Sequence, residues 1–246
     1  MRLETTMILY LIRHGIPDYE TDSLLPEGWE QARLVGERLA KLNIDEIYAS
    51  PMGRALETAS PLARMLGKPV HVEKWATETD PSCMTLYPYG TLSNVARLAP
   101  ALINTPLSRE IGMSRVFTDA PGLNDGGYQK KFDSIAAGID GLLSRLGYER
   151  NPDGFYDPVR PDSRHIALFC HVGMMRMLLG HVLNIPMQFL ASTVMTNYTG
   201  LTVLEFDAKP REEGLPCQPY LITYGDVGHL HAAGKKVVMY MTGSDY

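Results

Sequence analysis

Two arginines and two histidines carry the chemistry open to this sequence: Arg13 and His14 close the run MILYLIRHG over 7–15, Arg54 lies in SPMGRALET over 50–58, and His171 closes RHIALFCHVG over 164–173. Each group follows a short apolar stretch and stands at its carboxyl end. Planar guanidinium groups offer paired donors to an oxyanion, and an imidazole can serve as nucleophile, base or donor near neutral pH. A buried strand that ends in such groups has something negative to hold. Taken singly, Arg13 and His14 could cap a strand at the surface, and His171 could be a core histidine satisfied by its neighbours. Agreement among three strands is hard to attribute to packing.

The elements that must position these groups follow from the apolar patterning. The unbroken apolar and aromatic run Met7 to Ile12 suits a strand buried on both faces, as in a parallel sheet covered by helices. Gly15 lets the backbone come close to whatever Arg13 and His14 hold. Asp45 to Ser50 is a short strand, and Ser50-Pro51 is expected to supply an N-cap with proline at the first helical position. Arg54 then falls in the first turn, where a cation opposes the helix dipole, and an external anion would explain it. Ile166 to Cys170 is a strand running into His171, followed by an amphipathic helix with Met174, Leu178 and Val182 on one face. Helix N-termini at these places present N–H groups suited to a phosphate.

The expected order is strand 7–13, helix 27–42, strand 45–49, helix 52–66, strand 70–73, an irregular stretch, helix 129–147, strand 165–170, helix 173–183, and strands near 200–206 and 220–224. Such alternation implies an α/β fold, a three-layer α/β/α sandwich with a mostly parallel central sheet. Ligands of open α/β sheets bind beyond the carboxyl ends of the strands, where all four residues stand. The chain is expected to form one domain over 1–246, with an inserted cap or lid segment at about 80–128. Tyr87, Tyr89 and Arg97 in that insert are candidate leaving-group contacts, with plain surface packing as the alternative for each. A second loop, Asn151 to Ser163, is rich in Pro and Asp and is expected to flank the entrance.

Taken together, Arg13-His14-Gly15, the stretch Ser50 to Thr58 and His171 after its hydrophobic strand resemble branch 1 of the histidine phosphatase superfamily, also called the phosphoglycerate mutase-like family. PEGWEQARLVGERLAKL over 26–42 resembles the family's first helix, with its Gly-x-x-Gln-Ala signature at Gly28, Gln31 and Ala32. The resemblance spans nearly the whole chain apart from roughly residues 80 to 130. It implies phosphoryl transfer through a phosphohistidine. His14 would be the nucleophile, its other ring nitrogen donating to a backbone carbonyl. Arg13 and Arg54 would clamp the phosphoryl oxygens, and His171 would donate to the same oxygens. The proton donor implied by this branch is Glu78, with Asp80 and Glu73 as alternatives; the other branch places an Asp directly after the second histidine motif, and His171-Val172-Gly173 has none.

The activity implied is hydrolysis of a phosphomonoester, a small phosphorylated metabolite, with no cofactor and no metal. A phosphoglycerate mutase-type transfer and a non-catalytic phospho-ligand module are the alternatives that the same residues allow. Two departures from the family pattern stand out. Ile16-Pro17 follows the first motif where the family often has polar residues, so a substrate contact is lost or taken over by Asp18 or Tyr19. Val172 stands where the family usually has a glycine and resists positive φ.

Composition bounds the rest. With 246 residues, 45% hydrophobic, the chain can build one sizeable core. A net charge of −5 argues against general nucleic-acid binding and makes the cationic cluster a local feature. Cys83, Cys170 and Cys217 show no paired spacing, which suits a reducing compartment; a buried strand position is expected for Cys170. No apolar stretch is long enough to cross a membrane, and the N-terminal run leads straight into the first motif rather than into a cleavage site, so a soluble cytoplasmic protein is expected. His229-Leu230-His231 has metal-like spacing but no evident further ligands.

Overall fold

Strand β1 (Thr6–Arg13) shows how the apolar runs are used, because its alternate residues enter two different cores. Met7, Leu9 and Leu11 face one side of the sheet and Tyr10 and Ile12 the other, as the two-residue period of a strand requires. The structure, a computed structural model, describes residues 6–79, 85–86, 90–91, 128–160, 163–187, 190, 194–207 and 216–237.

After β1 come a small hairpin, β2 (Pro17–Asp18) and β3 (Ser23–Leu24), then α1 (Pro26–Leu39), which a 3-10 turn extends over Ala40–Leu42. Next are β4 (Glu46–Ala49), α2 (Gly53–Leu66) and β5 (Val70–Val72). Within the stretch 80–127 the described residues form a two-stranded pair, β6 (Thr85–Leu86) with β7 (Gly90–Thr91). Asp80, Cys83, Tyr87, Tyr89 and Arg97 lie outside the described residues. The chain resumes with α3 (Tyr128–Arg145), the hairpin β8 (Tyr148–Arg150) and β9 (Tyr156–Pro158), then β10 (His165–Cys170) and α4 (Val172–Val182). It ends in β11 (Leu201–Asp207), β12 (Tyr220–Asp226) and the short α5 (Gly228–Ala232).

The main sheet has the order β12-β11-β1-β10-β4-β5. β1, β10, β4 and β5 are mutually parallel, while β11 runs antiparallel to β1. On one face Ile135, Ile139 and Leu142 of α3 and Met174, Met177 and Leu178 of α4 pack on Leu9, Leu11, Ile166 and Leu168. On the other, Val35 and Leu39 of α1 and Ala59 and Leu62 of α2 pack on Ile12, Ile47, Ala167 and Phe169. This is the three-layer α/β/α arrangement with a mostly parallel sheet, and with both faces covered its central strands are apolar throughout.

Two local expectations need correction. The loop expected over Asn151 to Ser163 contains β9, paired with β8 around a turn that Asn151 closes by accepting the Asp153 and Phe155 N–H groups at 3.1 and 3.0 Å. Helix α2 starts at Gly53 with Met52 in the extended capping position and no capping side chain of its own, so Ser50 is not the N-cap. Ser50 continues the line of β4 instead, and its N–H donates to the Phe169 carbonyl at 2.9 Å.

Candidate active site

The parallel registers decide what meets. Arg13 lies beside Cys170, and Phe169 beside Ala49, so the residues just past β1, β10 and β4 share one edge of the sheet: His14, His171 and Ser50. The His14 and His171 ring centroids are 5.2 Å apart. His14 is 1% exposed. Its Nδ1 donates to the Gly15 carbonyl at 2.7 Å; a carbonyl can only accept, so the proton is on Nδ1 and Nε2 keeps its lone pair. The same peptide unit is held from its other side, since the Ile16 N–H donates to Gln31 Oε1 of α1 at 3.0 Å. Burial, with Arg13 adjacent, lowers the His14 pKa from 6.5 to about 3, so the ring is neutral at physiological pH.

Backbone contact keeps this loop in place. A Cβ on Gly15 would lie 2.6 Å from the Gly28 carbonyl oxygen, and one on Gly28 would lie 2.1 Å from the Ile16 oxygen. Only glycine at both positions lets α1 press on the residues after His14. Thr58 of α2 ties in the third segment: its hydroxyl accepts the Gly15 N–H at 3.0 Å and donates to the Arg54 carbonyl at 2.6 Å.

Both guanidiniums are buried, Arg13 at 1% and Arg54 at 5% exposure. Arg13 donates through Nη1 to the Thr196 carbonyl at 2.6 Å and lies 4.1 Å from the ring centroid of Tyr198, a stacked cation–π contact. Arg54 pairs through Nη1 with Asp22, a residue at φ +51° in the turn between β2 and β3. The second Asp22 oxygen accepts the Gly53 N–H at 2.7 Å. The anion expected beside Arg54 is therefore supplied by the chain itself, which neutralises part of the cation and caps α2 together. Arg54 Nη2 points to the Met52 thioether at 3.4 Å, and its buried Nε has no hydrogen-bond partner among the described residues.

His171 is fully buried and caps α4. Its Nε2 is 2.8 Å from Ser50 Oγ; its Nδ1 is buried without a hydrogen-bond partner among the described residues. Burial first, then the neighbouring His14, Arg54 and Arg13, holds its pKa well below the usual value. Glu78 reaches the start of α4 from the segment after β5. Its Oε1 accepts the Met174 and Thr79 N–H groups at 2.9 and 2.8 Å and the Thr79 hydroxyl at 3.3 Å, and its Oε2 accepts the Gly173 N–H at 3.3 Å. The helix N-termini at this edge, expected to be open to phosphate, are thus already taken by carboxylates, Asp22 on α2 and Glu78 on α4.

The second departure from the family pattern has a simple resolution. Val172 is the first residue of α4 and is not among the positive-φ residues, so the site asks no glycine there. Gly173 is the position that must lack a side chain, because a Cβ would lie 2.1 Å from Thr79 Oγ1 and 2.7 Å from Glu78 Oε1.

The structure therefore brings Arg13, His14, Arg54, His171 and Glu78 to one edge. It leaves Glu73 out: that carboxylate accepts the Trp75 indole N–H at 2.6 Å and pairs with Arg145 on α3. Asp18 is turned on its own loop, accepting the Glu20 N–H and the Thr21 hydroxyl, each at 2.9 Å. Tyr19 stands with its ring 5.5 Å from the Arg54 guanidinium carbon. Cys170 is fully buried, and burial raises its thiol pKa, which makes it a core residue. His229 is bound to the Thr199 hydroxyl at 3.0 Å and lowered to about 4 by burial; no group of His, Cys, Asp and Glu suited to a metal forms among the described residues. Sequence reasoning missed Asp22, Ser50, Thr58 and Tyr198. The misplaced cation at the start of α2 was the usable signal for Asp22; nothing local marks Tyr198.

Residues 9–86 match the family model for the histidine phosphatase superfamily, branch 1. Over almost its whole length the chain is similar to a probable phosphatase of Schizosaccharomyces pombe, 26% identical across 92% of this chain and 96% of the relative. Among solved structures it is similar to the phosphoserine phosphatase of Entamoeba histolytica in complex with 3-phosphoglyceric acid, at 21% identity, covering 91% of this chain and 99% of that one with a TM-score of 0.56. The mycobacterial glucosyl-3-phosphoglycerate phosphatase with inorganic phosphate gives 20% identity, 90% and 98% coverage and a TM-score of 0.59. The matched segment carries Arg13, His14, Gly28, Gln31, Arg54 and Glu78, and the likeness to the yeast relative and to the phosphatase fold covers most of the rest of the chain.

Proposed function

We propose that the protein is a metal-independent phosphomonoesterase that acts on a small phosphorylated metabolite through a phosphohistidine at His14. The observation that carries this reading is the state of His14: a neutral ring whose proton is committed to the Gly15 carbonyl, leaving the Nε2 lone pair beside two buried guanidiniums. In that state the imidazole needs no base to activate it. The similar proteins, a probable phosphatase and structures of phosphatases for phosphoserine and for glucosyl-3-phosphoglycerate, support hydrolysis of small phosphate esters.

In the first step His14 Nε2 attacks phosphorus, the P–N bond forms and the ester P–O bond breaks. Arg13 and Arg54 hold the equatorial oxygens as charge spreads, and His171 donates to one of them. The departing oxygen takes a proton from Glu78. Oε2, held among the described residues by the 3.3 Å contact from the Gly173 N–H, is the oxygen proposed to carry it. In the second step water attacks the phosphohistidine, its proton passes to the Glu78 carboxylate, the P–N bond breaks and inorganic phosphate leaves. A cytoplasmic setting fits buried Cys170 and Cys217, neither of which is in a disulfide among the described residues, and no helix among the described residues is long and apolar enough to cross a membrane.

The test is hydrolysis of p-nitrophenyl phosphate, with chelator present, by the wild type and by His14→Ala. Turnover in chelator that vanishes in the variant is expected. Turnover unchanged in the variant overturns the role of His14. A long-lived acid-labile phosphoprotein with no hydrolysis points to a transferase instead, and phosphate binding without either points to a binding module.

A further inference from the structure

Ser50 is fully buried, and its hydroxyl has two neighbours among the described residues. It accepts the Met52 N–H at 3.3 Å and lies 2.8 Å from His171 Nε2. The Met52 N–H can only donate, so the hydroxyl proton must go to the other neighbour or be buried with no acceptor, which is costly. Accounting for donors and acceptors leaves one low-cost arrangement: Ser50 donates to Nε2, and the proton of neutral His171 sits on Nδ1. That nitrogen is the buried one with no partner among the described residues. From this we infer that Ser50 is a positioning residue, which fixes His171 in the Nδ1–H form and so aims an N–H, rather than a lone pair, at the phosphoryl oxygens.

The two histidines then share one tautomer and show opposite faces to the crevice. His14 has its Nδ1–H tied to the Gly15 carbonyl and offers the bare Nε2. His171 has its Nε2 tied to Ser50 and offers Nδ1–H. One ring can attack and the other can only donate, and the difference is set by the groups behind them: a carbonyl behind His14, a hydroxyl behind His171. In the opposite tautomer, His171 would turn a lone pair toward an oxyanion and repel it.

The role in phosphate binding rests on the phosphatase reading, whereas the tautomer does not, so the two can fail separately. Long-range 15N–1H spectra of the 15N-histidine-labelled wild type, assigned with His171→Gln, report the tautomer with no substrate present. The expected result is a protonated Nδ1 and a bare Nε2 at His171 at pH 7. Ser50→Ala should convert this to a mixture or to Nε2–H, lower kcat on p-nitrophenyl phosphate about tenfold and weaken inhibition by inorganic phosphate several-fold, as loss of one hydrogen bond predicts. Ser50→Thr keeps the hydroxyl and should restore both tautomer and kcat. A wild-type His171 protonated on Nε2 overturns the inference even if Ser50→Ala fails to fold, as does a folded Ser50→Ala protein with tautomer and kinetics unchanged. Absence of turnover in the wild type, with the expected tautomer, overturns the phosphatase reading instead.

Discussion

Gln31→Ala tests how His14, the proposed nucleophile, is supported. Gln31 touches neither His14 nor any phosphate-binding nitrogen; it accepts the N–H of the peptide whose carbonyl takes the His14 Nδ1 proton, at 3.0 and 2.7 Å respectively. Removing the acceptor strands a partly buried N–H, which costs about 1–3 kcal/mol. At about 2–4 °C per kcal/mol for a domain of this size, Tm should fall by about 2–12 °C. The peptide also loses the bond that holds its carbonyl toward His14. If about 1 kcal/mol of that support is present in the transition state, kcat falls about fivefold. KM and phosphate inhibition should stay within about twofold, because Arg13, Arg54 and His171 are untouched. The assay is steady-state hydrolysis of p-nitrophenyl phosphate alongside thermal melts, with Gln31→Glu as the control whose carboxylate can still accept the N–H. A variant that melts lower yet keeps its kcat would show that the peptide relay stabilises the loop and does nothing for the nucleophile. A rise in KM at constant kcat would refute the reasoning too.

Four further outcomes follow from the site. His14 is held at a pKa of about 3 in the fold against 6.5 unfolded, so the unfolded chain binds its proton first on acidification; the stability contribution is complete above pH 6.5 and is lost as pH falls toward 3. Between pH 7 and pH 5 it should cost the wild type about 2 kcal/mol that His14→Ala does not lose, read as urea midpoints at the two pH values; equal slopes would sink it. Asp22→Asn keeps an acceptor for the Gly53 N–H but removes the charge shared with Arg54, so inorganic phosphate should inhibit several-fold more tightly, and weaker inhibition would show that Asp22 serves orientation instead. Glu78→Gln should slow alkyl phosphates by about 10²-fold or more while slowing p-nitrophenyl phosphate far less, since nitrophenolate leaves without a proton. Gly173→Ala, whose Cβ displaces Glu78, should show the same substrate bias, and equal losses on both substrates would remove Glu78 from the proton-donor role.

What was legible in the chain follows from where the information is local. Strands β1 and β10 are buried on both faces, so they read as continuous apolar runs, and the polar residues that end them stand out; parallel pairing then brings Arg13, His14 and His171 to one edge. Ser50 misled because Ser-Pro before a helix has the form of a cap, whereas the register of β4 on β10 sets its hydroxyl beside His171. Asp22 was hidden in a polar turn among Asp18, Glu20 and Thr21 and is singled out only by its reach to Gly53 and Arg54 across more than thirty residues. The strands β8 and β9 are three residues each, too short for a two-residue period to register. Tyr198 belongs to the site because Arg13 stacks on it and its ring centroid lies 5.6 Å from that of His14, contacts that no local pattern encodes.

The place of β10 between β1 and β4 has a consequence for how the protein is made. A ribosome that has synthesised everything before β10 has released both guanidiniums, His14 and Glu78, yet β1 and β4 lack the strand between them that brings them into register. Arg13 waits still longer, for a carbonyl 183 residues downstream. Contacts this distant in sequence slow folding, but they also withhold reactivity: nascent chains and early termination products carry His14, the proposed nucleophile, without the pocket. Catalytic turnover would thus count completed molecules, and in an expression culture it would separate finished protein from fragments that an antibody to the N-terminal half would score alike.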